Sequence, residues 1–224
     1  KLLAGVVAGV LLLTAAACGG SGGGQQTASP AHRLATARKA FDRTPALRIS
    51  LATHDLPRSV AGLLAASGVG THQPAFKGEI KVVQSGLSLT VPVVAVDGKT
   101  WAKLGIWQQV DPGQYNAPDP ARLMAPDHGL SSVLTSATHL GRPTQQRQGS
   151  ATVTRIDGKV PGRLMAQIVP TADPGHLFDA AFTLDQAGRA TGMQLTGAFY
   201  PDAPKVTYTF TFSGYGSRAT VTAP

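Results

Sequence analysis

The feature that most limits how this chain can fold is a two-residue alternation of apolar and polar side chains, repeated along much of its length. In Lys205–Ser213, KVTYTFTFS, Val206, Tyr208, Phe210 and Phe212 alternate with lysine and hydroxyl residues. Leu87, Leu89, Val91 and Val93 alternate with Ser88, Thr90 and Pro92, and Phe178, Ala180, Phe182 and Leu184 stand opposite Asp179, Thr183 and Asp185. Leu47, Ile49 and Leu51 follow the same rule, as do Phe76, Ile80 and Val82, and then Met193, Leu195 and Phe199. Successive side chains of a strand point to opposite faces, so each run predicts a sheet with one dry and one wet face. Antiparallel sheets tolerate that asymmetry; parallel ones do not.

Turn residues at Asp97-Gly98, Asp157-Gly158 and Ala187-Gly188 join these runs at short range, which predicts a meander of roughly eight to ten strands. Pro92 inside an alternating run predicts an edge position or a bulge. Helical signals are fewer. His32–Arg43 places Leu34, Ala37 and Phe41 on one side, and Asp119-Pro120 reads as a cap followed by proline at the first helical position. Asp127 is the expected cap of a further helix carrying Leu130, Val133, Leu134 and Ala137, and Pro161–Val169 carries Leu164, Met165 and Ile168. These short helices cannot cover a large dry sheet face. Either the sheet curls until its own side chains meet, or an apolar hollow remains that can accept hydrocarbon. The residues leave both outcomes open.

The N-terminal region has a different character. Leu2–Ala17 is uncharged and almost wholly apolar, follows Lys1, and is shorter than the roughly 20 residues of a membrane-spanning helix. It reads as the apolar centre of a signal peptide. Small residues Ala15-Ala16-Ala17 precede Cys18, the only cysteine, which therefore has no disulfide partner in the chain. Residues 18–31 form a glycine- and serine-rich tether, and residues 32–224 make up one domain with a sizeable core. The G-x-S-x-G match at Gly19–Gly23 lies in the tether, without the strand and helix that a nucleophile elbow needs.

The chain carries a formal charge of +8, a surplus that favours anionic partners or serves solubility. The basic residues are spread thinly, with no aromatic-basic RNA-binding signature, so nucleic acid is not an expected partner. The six histidines show no metal-ligand spacing, and no metal or cofactor is called for. Asp127-His128 beside Ser131 and Ser132 can be drawn as part of a triad, but reads more simply as a helix cap and polar helical positions. A catalytic function is not expected.

From about Phe41 to the C-terminus the chain resembles the LppX/LprAFG lipoproteins of mycobacteria. The matching stretches are VVAVDGKTWAKL (Val93–Leu104), YNAPDPARLMAPDHGLSSVLTSA (Tyr115–Ala137), IDGKVPGRLMAQIVP (Ile156–Pro170) and YGSRATVTAP (Tyr215–Pro224). Ala16-Ala17-Cys18 is similar to a bacterial lipobox, with Ala15 where that pattern usually has leucine, a departure that leaves ordinary secretory cleavage or an uncleaved anchor as alternatives. The resemblance implies an α+β fold: a single curved, mostly antiparallel sheet, a half-barrel, with short helices on its concave face enclosing an apolar cavity. It implies that Cys18 is lipidated and anchors the exported protein on the outer side of the cytoplasmic membrane or in the envelope. It further implies that the domain carries acylated glycolipids or triacylglycerol. The acceptor, a membrane lipid exporter or the outer envelope, stays open. The implied entrance lies at Gly78–Gln84, with Ile80 pointing inward; Val82, Leu89, Val91 and Val93 extend the wall, and Leu130, Val133 and Leu134 line it from the helix side. Trp101 fits either a headgroup-stacking rim or a packed core. The alternative is a structural or adhesive surface lipoprotein with a filled core.

Overall fold

The computed structural model describes residues 28–224 except Asn116 and Pro204. Cys18, the apolar run before it and most of the tether lie outside the described residues. Among the described residues there are three α-helices, α1 (Pro30–Arg43), α2 (Leu130–Ser136) and α3 (Gly162–Ile168). The strands are β1 (Ala46–His54), β2 (Gly62–Thr71), β3 (Ala75–Gln84), β4 (Leu87–Val96), β5 (Lys99–Leu104), β6 (Ile106–Val110), β7 (Thr144–Gln148), β8 (Ala151–Pro161), β9 (Leu177–Leu184), β10 (Ala190–Gly197) and β11 (Val206–Ser217). They form one open, curved sheet in the order β6-β5-β4-β3-β2-β1-β11-β10-β9-β8-β7. The pairings are antiparallel.

This order is two meanders joined at their first and last strands. β1 to β6 run outward to one edge, the segment 111–143 crosses to the other edge, and β7 to β11 return to pair with β1. There are eleven strands rather than eight to ten because β6 (IWQQV) and β7 (TQQRQ) lack clear alternation. They are five-residue edge strands, and β7 is exposed throughout. Short polar edges of this kind resist pairing with another chain.

The helices lie on one face, called inner here, but cover only half of it. α1 is capped by Ser29, whose Oγ accepts from His32 N at 3.2 Å, a contact worth about 1 kcal/mol. Its Phe41 packs edge-on against Phe212 of β11, ring centres 5.1 Å apart. Arg38 ties α1 to the region of α2, donating to Thr135 Oγ1 at 2.7 Å and to the Pro126 carbonyl at 2.8 Å. Leu130, Val133 and Leu134 of α2 and Met165 and Ile168 of α3 join Ile156, Phe178, Phe182, Met193, Phe210 and Leu51 in one core. That core fills the space over β1 and β8–β11.

Three local expectations need correction. Asp127 does not cap α2: the N-cap is Gly129, which has no side chain to accept from the first helical N–H groups. Gly129 sits where a Cβ would meet the Ala125 carbonyl at 2.5 Å, so close backbone packing sets that position. Asp119 opens no α-helix; its Oδ1 accepts from Ala121 N at 2.9 Å and leads into a single 3-10 turn, Arg122–Met124. Asp157-Gly158 is not a turn but lies within β8. A Cβ on Gly158 would come 3.1 Å from the Thr138 carbonyl, because residue 138 bridges Lys159 there. The glycine permits a close approach of chain to chain. By contrast Asp97-Gly98 does turn, with φ of 52° and 69°, the left-handed pair a tight hairpin needs.

Candidate functional site

The inner face of β3–β6 is the part of the dry side that the helices leave open. Register fixes its composition. Phe76, Gly78, Ile80, Val82 and Gln84 of β3 stand opposite Ala95, Val93, Val91, Leu89 and Leu87 of β4. Val93 and Ala95 in turn face Ala102 and Thr100 of β5, which face Gln108 and Val110 of β6. Leu104 faces Ile106 across the Gly105 turn. Directly opposite residues in an antiparallel pair share a face, so all of these point the same way. None of them is titratable.

The cover thins along this face. Near the middle of the sheet, Met124 packs over Gly70, and the Phe76 ring lies across Gly68 and Gly78, where a Cβ would meet it at 2.6 and 2.8 Å. Phe76, Ala95 and Ala121 close a small cluster there. Val91, Val93 and Ala102 form a second one, with Ile80 and Val110 packed against it. Toward the hairpin tips the cover ends. Leu87 is 78% exposed, Leu89 55%, Leu104 47% and Ile106 71%.

Pro92 contributes to this opening. It has no N–H, and the β4–β5 ladder runs from Val96↔Lys99 to Val93↔Ala102 and stops there. The Leu87–Pro92 half of β4 is therefore paired only to β3, which is an edge position within an interior strand. At the opposite end of β5 and β6 lies a pocket of about 490 Å³, bordered by Thr100, Val110, Leu123 and Ile168 with Arg122 and His128.

Ile80, Val82, Leu89, Val91 and Val93 are thus brought together on one face. Leu130, Val133 and Leu134 are elsewhere: each is at most 1% exposed and packed in the main core, a different cluster from that of Ile80. Leu87, Leu104 and Ile106 belong to the exposed strip without having been singled out. The run KLGIW holds the missing signal, because a tight turn at Gly105 returns Ile106 to the face of Leu104. Trp101 is neither on the rim of this face nor in its core. It pairs with Val94 and Gln109 and points to the outer side. Ser131 and Ser132 donate to the Pro126 and Gly129 carbonyls, at 3.4 and 2.7 Å, and not to His128.

One antiparallel sheet, helices gathered over half of one face and an uncharged apolar half left open define a single-sheet architecture suited to holding an apolar ligand. The chain belongs to the LppX_LprAFG lipoprotein family, whose model matches residues 29–221. Lipoarabinomannan carrier protein LprG of Mycobacterium tuberculosis (strain H37Rv) is 28% identical over 159 residues, covering 69% of this chain and 64% of the relative. The same protein from Mycobacterium bovis (strain BCG / Pasteur 1173P2) matches equally. The alignment thus spans just under two thirds of these relatives. Among solved structures, LprF from Mycobacterium bovis has a TM-score of 0.72 at 16% identity, covering 87% of this chain and 96% of its own. LppX from Mycobacterium tuberculosis has a TM-score of 0.62 at 14% identity, with 86% and 97% coverage. These two establish the fold.

Proposed function

We propose that this protein is a cell-envelope lipid carrier. It holds the acyl chains of a glycolipid or triacylglycerol-type lipid against the inner face of β3–β6. Ile80, Val82 and Leu89 form the wall, backed by the buried Val91 and Val93, and Leu87, Leu104 and Ile106 form its open end. The observation that carries the reading is the exposure of four large apolar side chains on one uncharged face. Exposed large apolar side chains gathered on one face of a domain mark a binding surface. The name of the LprG relatives, a lipoarabinomannan carrier, supports an acylated glycolipid as the cargo class.

Lipidation at Cys18 completes the proposal by keeping the carrier at the membrane. Two acyl chains suffice, since each buried CH₂ contributes about 0.8 kcal/mol. Two measurements test the account. Protein purified from its own envelope and analysed by native mass spectrometry carries bound acylated lipid; a lipid-free spectrum contradicts the carrier. Cys18→Ala moves the protein from the detergent phase to the aqueous phase or leaves its precursor unprocessed; unchanged partitioning and processing contradict the anchor.

A further inference from the structure

We propose that the outer face of β3–β6, the reverse side of the open strip, is a docking surface for an anionic lipid bilayer. Alternation that keeps charge off the inner face places it on this one. Lys77, Glu79 and Lys81 of β3, Val94 of β4, Lys99, Trp101 and Lys103 of β5 and Trp107 of β6 all point outward. Trp101 stands opposite Gln109, and Lys103 opposite Trp107, so the two indoles are diagonal neighbours. Val94, between Lys77 and Trp101 in the register, is only 2% exposed. Long side chains such as those of the flanking lysine and tryptophan can cover an apolar position with their stems while their polar ends stay in water.

The lysines are exposed, and none has an acidic partner within 4.0 Å among the described residues. The other half of the sheet differs. There Arg155 pairs with Asp157 at 2.9 Å, Lys159 pairs with Asp179, and Arg189 at the β9–β10 turn pairs with Asp185 at 2.7 Å. Glu79 and, at the β4–β5 turn, Asp97 are the acids within β3–β6, so positive charge is left over. Exposed lysines beside half-buried tryptophans match the chemistry of an anionic membrane surface, where indoles sit at headgroup level and ammonium groups meet lipid phosphates. A protein partner fits less well, because lysine is depleted in the cores of protein interfaces. Docking by this face leaves the open strip, on the reverse side of the same four strands, facing away from the bilayer.

The protein supplies its own probe: Trp101 and Trp107 are its two tryptophans, and both are on this face. The full chain is mixed with phosphatidylcholine vesicles, with and without phosphatidylglycerol, that carry brominated acyl chains. Docking predicts a blue shift and bromine quenching of tryptophan emission only when phosphatidylglycerol is present, both reversed by salt. Each Lys77→Ala, Lys81→Ala or Lys103→Ala change lowers the docking equilibrium about fivefold. The triple Lys→Glu variant abolishes quenching with its circular dichroism unchanged. The salt titration needs no variant and stands independently of their folding. Tryptophan emission indifferent to phosphatidylglycerol overturns the proposal. So does quenching that persists in neutral vesicles and ignores the lysines, because bromolipid taken up on the inner face behaves that way.

Discussion

At the scale of single residues, two buried polar sites make separate claims. The Tyr208 hydroxyl lies 2.7 Å from that of Tyr200, and burial pushes Tyr208 well above the usual tyrosine value of 10. Tyr200 Oη also accepts from Leu63 N at 3.3 Å. Tyr200→Phe therefore strands two groups, the Tyr208 hydroxyl and an N–H of β2, and costs about 1–3 kcal/mol. Tyr208→Phe leaves Tyr200 with the Leu63 N–H and costs less. Urea unfolding of both variants checks the order, and the reverse order contradicts it. His72 sets a pH dependence. Burial holds its imidazole below the ordinary 6.5, against opposing pulls from the Thr44 backbone and the Asp42 carboxylate, whose Oδ1 is 4.0 Å from Nε2. The unfolded chain takes up this proton more readily, so the contribution is full above pH 6.5 and is lost as pH falls from there toward the lowered folded value. His72→Phe, beside the Phe41 ring, flattens that slope in unfolding midpoints measured above and below pH 6.5. An unchanged slope assigns the effect to another group.

At the scale of elements, the two halves of the inner face respond differently to truncation. Leu134 of α2 is 1% exposed in the main core, and Leu134→Ala costs about 2–5 kcal/mol. Leu104→Ala and Ile106→Ala in the β5–β6 hairpin change stability by about 0.5 kcal/mol or less, yet they weaken lipid retention. Melting curves paired with lipid extraction separate the two behaviours; equal melting losses in both halves contradict an open face. The strands were legible because period-two alternation is a local signal, and β1, β4, β9 and β11 follow it closely. The helix starts were less so. Gly129 is fixed by the Leu123 and Ala125 carbonyls of the preceding turn and Gly158 by backbone at residue 138, contacts that no cap or turn rule detects. The strand half of the site could be read from the face that each residue shares. Placing α2 over the filled half required knowing where the 111–143 crossover lands.

At the scale of the whole molecule, the inner face of one sheet divides into a filled half and an open half. β1 and β8–β11 provide a packed base, with aromatic contacts such as Phe178–Phe199 at 4.7 Å and Phe199–Tyr208 at 4.4 Å, each worth about 0.5–1.5 kcal/mol beyond burial. β3–β6 extend from that base with an apolar face that, among the described residues, no helix closes at the hairpin tips. On the proposed function, folding energy and ligand capacity are drawn from different strands, so a bulky residue on the open half can block the ligand while the base holds the fold. Ile80→Trp is the direct test, because Ile80 is half-buried beside Val91, between the small cluster and the exposed tips. In a closed core the added volume costs about 1–3 kcal/mol in strain. Native mass spectrometry and thermal unfolding of wild type and Ile80→Trp, each purified from its own envelope, decide the matter. The account predicts lipid on the wild type, none on the variant and nearly equal melting temperatures once both are delipidated; two proteins lipid-free as purified, with only the variant's melting temperature lowered, contradict it.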